Sequence, residues 1–186
     1  IGALSAAERN LRRSIDLCRE INDLMKEAHD HTELIQVLAY CGMWNELENE
    51  SKQALEMCKE QNDIQAQGVI WSYHALRFLL MARDEAIFDI RKSNNEHQIS
   101  AIKCAQRALE LADEQAKDFP IPRDYVGAYW LLGAAYRANN ELDKAEENLT
   151  KALNQCRQIN AVDAEADILL ELARLRYAQD DFKDAQ

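Results

Sequence analysis

An all-α fold built from repeated helix pairs is what this 186-residue sequence predicts, and three observations predict it. Helix-favouring Ala, Leu, Glu, Gln, Lys and Arg are plentiful, while five glycines and two prolines are too few to punctuate strands and hairpins. A ten-residue pattern recurs along the chain. Between its copies, short polar breaks separate helix-length stretches.

The segment from Arg13 to Asn22 returns from Gln53 to Asn62 and again from Lys151 to Asn160, keeping Ile15, Leu55 and Leu153, and Cys18, Cys58 and Cys156, in register. A fourth copy falls where Ala105, Leu109, Ala112 and Ala116 lie under Ala145, Leu149, Ala152 and Cys156. The anchors are 14, 54, 112 and 152, with spacings of 40, 58 and 40. Four copies in one register define a repeat, with one insertion.

The elements follow in order. A first helix covers about 5–21, opened by Ser5-Ala6-Ala7-Glu8 as a capping box. Pairs follow at 24–41 with 44–60, 64–92 with 95–117, and 122–138 with 141–158, and a last helix runs about 162–178. Asn22, Asn62 and Asn160 stand where a left-handed residue ends a helix. Pro120 takes that place in the fourth copy, and Pro122 fits the first turn of the next helix. The repeat units are approximately 1–22, 23–62, 63–120, 121–160 and 161–186, and the incomplete first and last units predict a fragment of a longer protein.

The run Leu132-Gly133-Ala134-Ala135-Tyr136, preceded by Tyr129 and followed by Asn139-Asn140-Glu141-Leu142, Ala145, Leu149 and Ala152, resembles the tetratricopeptide pattern. Trp71, Ala75 and Phe78 match it in an earlier copy, and Leu169, Leu172 and Ala173 in the last. His74, Ile35 and Leu47 depart from it. The unit is the 40-residue kind, similar to arrays in MalT-type signal-transduction ATPases and LGN-type scaffolds. The resemblance implies a right-handed α-solenoid with a peptide-binding inner face. It also implies a protein- or peptide-binding scaffold or sensor region of a larger signalling protein; the alternative is a structural, self-associating array forming homo-oligomers.

The family's pattern puts first helices on that inner face. Gln36, Tyr40, Ser72, Trp130, Arg137, Arg174 and Tyr177 are the candidate partner-binding residues, because desolvated Trp, Tyr and Arg dominate binding energy in many interfaces. The competing assignment packs Trp130 inside and pairs the arginines with local acids. The family's Lys and Asn carboxylate clamp is missing: its places hold Thr32 and Gln36, Ser72 and Leu76, and Trp130 and Ala134.

The insertion of 18 residues in the middle copy, shared between two antiparallel helices, lengthens the central helical hairpin. At about 1.5 Å per residue it extends by roughly 13 Å. The tip falls at Ser93-Asn94-Asn95, with Ile87, Phe88 and Ile90 either packed within the hairpin or exposed as a docking knob.

A formal charge of -11 disfavours nucleic acid and anionic membranes as partners. No signal peptide or apolar run near the ~18 residues of a membrane span occurs. Five cysteines, placed within helices, suit a reducing, cytoplasmic setting. Cys18, Cys58 and Cys156 recur one per repeat, and stacked layers hold them too far apart to share a metal ion, so they read as core residues. His29 and His31 splay to different faces of one helix. No glycine-rich phosphate loop, His-paired nucleophile or HEXXH helix is present, so neither an enzyme nor a cofactor is expected.

Overall fold

A computed structural model describes residues 2–87 and 95–179, excepting the side chains of 85–87. Among the described residues the chain forms eight α-helices and no strand: α1 (Gly2–Ile21), α2 (Leu24–Cys41), α3 (Trp44–Glu60), α4 (Ile64–Ile87), α5 (Glu96–Gln115), α6 (Pro122–Ala138), α7 (Leu142–Gln158) and α8 (Val162–Ala178). None of them is long and apolar enough to cross a membrane.

The helix ends follow from local chemistry. Asn22, Asn62, Asn140 and Asn160 adopt left-handed backbone with φ of 57°, 55°, 62° and 55°. Asn tolerates that region better than other residues with a side chain, so each ends one helix and frees the chain to turn into the next. Gly42 does the same with φ of 71°, its N–H bonding to the Ala39 carbonyl. Asp23 then accepts from the Lys26 N–H, and Asp63 from the Ala66 N–H, satisfying donors that the first turns of α2 and α4 leave open.

Two local expectations change. Ser5 lies inside α1, which already runs from Gly2, so it does not cap that helix. α5 ends at Gln115, and the turn that closes it uses the Phe119 N–H on the Gln115 carbonyl before Pro120 is reached. Pro122 does open α6.

Each helix packs on its chain neighbours, and the even-numbered helices also touch one another: α2 on α4, α4 on α6, and α6 on α8. Among the described residues the backbones of the odd-numbered helices do not approach one another in this way, although Arg12 of α1 reaches Glu46 and Glu50 of α3 through its side chain. The even helices thus share one side of the molecule. The central pair is the long one, with 24 residues in α4 and 20 in α5, whereas α6 and α7 have 17 each. Residues 88–94, including Phe88 and Ile90, lie outside the described residues, as does the side chain of Ile87.

Small residues set the close approaches. Ala54, Ala105, Ala145 and Ala152 are fully buried. A Cβ at Gly133 would stand 2.6 Å from Cγ of Leu149, which explains the Leu-Gly pair: α7 lies against the bare backbone of α6. Leu34, Leu38 and Leu47 around α2 and α3 are likewise sealed from solvent, each contributing about 2 kcal/mol of burial. Ile35 and Leu47, larger than the small residues of the tetratricopeptide pattern, are accommodated fully buried in this first core.

Candidate functional site

On the side where the even helices meet lie two adjoining cavities. The first, about 380 Å³, draws Gln36 and Tyr40 from α2, Val69 and Ser72 from α4, and Asp124 and Trp130 from α6. The second, about 570 Å³, runs from Tyr40 and Arg83 across Trp130 and Arg137 to Asp167, Glu171 and Arg174 of α8. Tyr40, Leu76, Trp130 and Leu131 border both, so the two form one groove.

The periodicity positions these groups. Gln36 and Tyr40 are four residues apart on α2, as are Val69 and Tyr73 on α4, and such neighbours share a helix face. Tyr40 is half exposed, and its hydroxyl pKa is raised first by burial and then by the nearby Asp167 carboxylate. That coupling joins α2 to α8, at opposite ends of the row of even helices. Asp124 is also raised by burial, a shift that the Gln65 amide opposes and the Asp63 carboxylate reinforces.

Six of the sequence-designated residues therefore border the groove: Gln36, Tyr40, Ser72, Trp130, Arg137 and Arg174. Tyr177 is exposed and lines neither cavity. Both assignments for Trp130 and the arginines describe part of what is found. Trp130 packs against three apolar clusters while bordering the groove, and its buried indole N–H meets no acceptor among the described residues. Arg137 donates from Nε to Glu171 at 2.9 Å, and Arg174 pairs with the other oxygen of the same buried carboxylate. The acid locks both guanidinium groups while they stay at the cavity wall.

A second polar cluster joins α1, α2 and α3. Buried His31 sits with Nδ1 2.6 Å from a Glu50 oxygen and Nε2 3.2 Å from the Arg19 guanidinium. The guanidinium can only donate, so Nε2 accepts and the imidazole's proton lies on Nδ1, directed at Glu50. Arg12 bridges Glu8, Glu46 and Glu50, and Arg19 also holds Glu27. The His31 hydrogen bond, foremost, holds the Glu50 pKa below the usual carboxylate range. His29 is exposed, so the two histidines do splay as their spacing requires.

Sequence reasoning missed this cluster, although a signal existed. Asp30 and His31 occupy the register of Ile70 and Trp71, of Ala128 and Tyr129, and of Ile168 and Leu169. Polar residues at positions that are apolar in every other copy mark a local polar core.

The recurrent thiols Cys18, Cys58 and Cys156 are all buried, and desolvation raises each pKa, that of Cys58 to about 11. Cys104 is also buried and raised to about 11, whereas Cys41, next to Tyr40, is exposed. Among the described residues, no three His, Cys, Asp or Glu side chains gather as a metal site.

No protein-family model matches the chain, and no curated protein matches it.

Proposed function

We propose that the chain is a tetratricopeptide-type array, a right-handed α-solenoid, that binds an extended peptide or protein segment in the groove of its even helices. One observation carries the reading: four helices from successive repeats converge on one continuous groove bordered by Tyr40, Leu76 and Trp130. Two adjoining cavities of about 380 and 570 Å³ offer room for several side chains. Close backbone packing among the even helices but not among the odd ones is what an array curled with the even helices inside would show. The chain acts in this reading as a cytoplasmic scaffold or sensor segment of a larger signalling protein, and not as an enzyme.

The test is obstruction. Ser72→Arg places a long side chain in the first cavity while leaving the buried cores untouched. On an array of synthetic peptides it should abolish binding seen with the parent chain, with an unchanged helical circular dichroism spectrum. Equal binding by both proteins would exclude the groove.

A second reading, self-association, is favoured by a different observation. Val162, Leu169, Leu170 and Tyr177 form an exposed stripe along α8, at spacings that place them on one side of the helix. Leu17, Ile21, Leu24 and Met25 form another exposed apolar group at the junction of α1 and α2. Sedimentation velocity decides it: a chain that stays monomeric at high concentration, unaffected by Leu169→Glu, has no use for either surface in assembly.

A further inference from the structure

We propose that the groove selects a peptide bearing an acidic side chain beside a large apolar one, with the carboxylate on Arg137 and Arg174 and the apolar group against Tyr40, Leu76 and Trp130. This rests on the peptide-binding reading above and names its specificity.

Charge is the first argument. The chain carries a formal charge of -11, yet at the wall of the wider cavity the guanidinium groups of Arg137 and Arg174 share the single carboxylate of Glu171, while Arg83 is paired with Asp84 and Asp167 stands nearby. The rest of so acidic a surface repels anions, so a local excess of positive charge marks this recess as the place where an anionic group can be held.

Geometry is the second. Glu171 is buried and takes one N–H from Arg137 Nε, at 2.9 Å, and one from Arg174. A guanidinium has five N–H donors in a rigid fork, so each arginine keeps donors that Glu171 does not use. Side-chain exposures of 25% for Arg137 and 46% for Arg174 leave these donors within reach of a ligand at the cavity wall. Because Glu171 already fixes both side chains, little rotamer entropy remains to be lost on binding.

The local balance also sets the ligand's charge. At Glu171, two guanidinium groups sharing one carboxylate leave one net positive charge, which a single ligand carboxylate neutralises and a doubly charged phosphate would exceed. On the other side of Trp130 the lining is mixed, and Ile64, Val69 and Leu76 form its apolar part beside the aromatic rings, with Gln36 and Asp124 at the same cavity. An apolar side chain adjacent to the acid fits that half.

The experiment uses the 186-residue chain and capped ten-residue peptides in a Gly, Ser and Asn background. Each peptide carries one Phe or Leu and one Glu at separations of one to five positions, beside matched sets with Gln or phosphoserine in place of Glu. Binding is followed by fluorescence anisotropy in low and high salt. At least one Glu peptide should bind about fivefold more tightly than its Gln partner at low salt, with the preference fading as salt screens the pair. The triple variant Arg137→Gln/Arg174→Gln/Glu171→Gln, which leaves no buried carboxylate unpaired, should bind Glu and Gln peptides alike. Should that variant not fold, the salt dependence in the parent chain still decides.

Equal affinity for Glu and Gln peptides would overturn this specificity while leaving the groove reading intact. A preference for phosphoserine would overturn it in favour of a phosphopeptide. Failure of every peptide to bind would remove both.

Discussion

Ser14 donates a 2.6 Å hydrogen bond to Asp30, and the pair stands where the other copies of the repeat hold Ala54 and Ile70, Ala112 and Ala128, and Ala152 and Ile168. Asp30 is as deeply buried as its apolar counterparts and takes a second partner in Lys26. The first repeat thus replaces an apolar contact with a polar one in the same place. Replacing a well-satisfied buried polar pair by apolar residues of the right shape is often neutral or stabilising, whereas removing one member is not.

Ser14→Ala alone should therefore lower stability by about 1 kcal/mol, since the carboxylate loses one donor but keeps Lys26. The double variant Ser14→Ala/Asp30→Ile, which restores the pair of the second repeat, should be at least as stable as the parent. Urea midpoints at constant slope measure both. A double variant weaker than Ser14→Ala would show that the first repeat cannot take the apolar pair of the second.

The same group sets a response to acid. Burial pushes the Asp30 carboxyl upward, but hydrogen bonds from Lys26 and Ser14 outweigh it and hold the pKa below its ordinary value. The hydrogen bond from His31 holds Glu50 down as well. Both folded-state values lie below those of the unfolded chain, near 4, so the stabilisation is complete above the unfolded values and is lost as pH falls through the folded ones. The urea midpoint should drop between about pH 5 and pH 2, and Ser14→Ala/Asp30→Ile should flatten part of that fall.

Gly133 predicts a steric cost. A methyl group there meets Cγ of Leu149 at 2.6 Å and the Leu149 backbone nitrogen at 3.1 Å, so α7 must shift. Gly133→Ala should cost about 2 kcal/mol despite alanine's better helix propensity. In a Leu149→Ala background the added penalty should shrink, and a double-mutant cycle measures the coupling. Additive effects would mean that the two helices do not meet there.

The left-handed asparagines predict a pattern of tolerance. Asn62→Gly and Asn160→Gly should leave the thermal midpoint nearly unchanged, while Asn62→Val should lower stability by about 1–2 kcal/mol, because a β-branched residue resists positive φ. Thermal melts of the three variants check it.

These features differ in how plainly the sequence declares them. The bounds of α2, α6 and α8 are legible to the residue, because each begins and ends at a turn signal held in the register of the repeat. The groove was legible in outline: the register marks Tyr40, Ser72 and Trp130 as neighbours on one side before any coordinate does. Its charge pattern was not. Whether Arg137 and Arg174 are neutralised depends on Glu171, which lies 34 residues from one and three from the other and looks in sequence like any acid of a solvated helix. The α1–α2–α3 cluster was hidden for the same reason, since its bonds link residues separated by up to 38 positions. Only comparison between copies, with Asp30 set against Ile70, reveals a carboxylate in a core position.

Of five cysteines, four are sealed in the helix interfaces with thiols held protonated by burial, and Cys41 alone is open to solvent. It directly follows Tyr40, which borders the groove, although Cys41 lines neither cavity itself. The unmodified chain consequently comes with its own attachment point: a maleimide dye would label one position, the residue after Tyr40, without engineering a single residue.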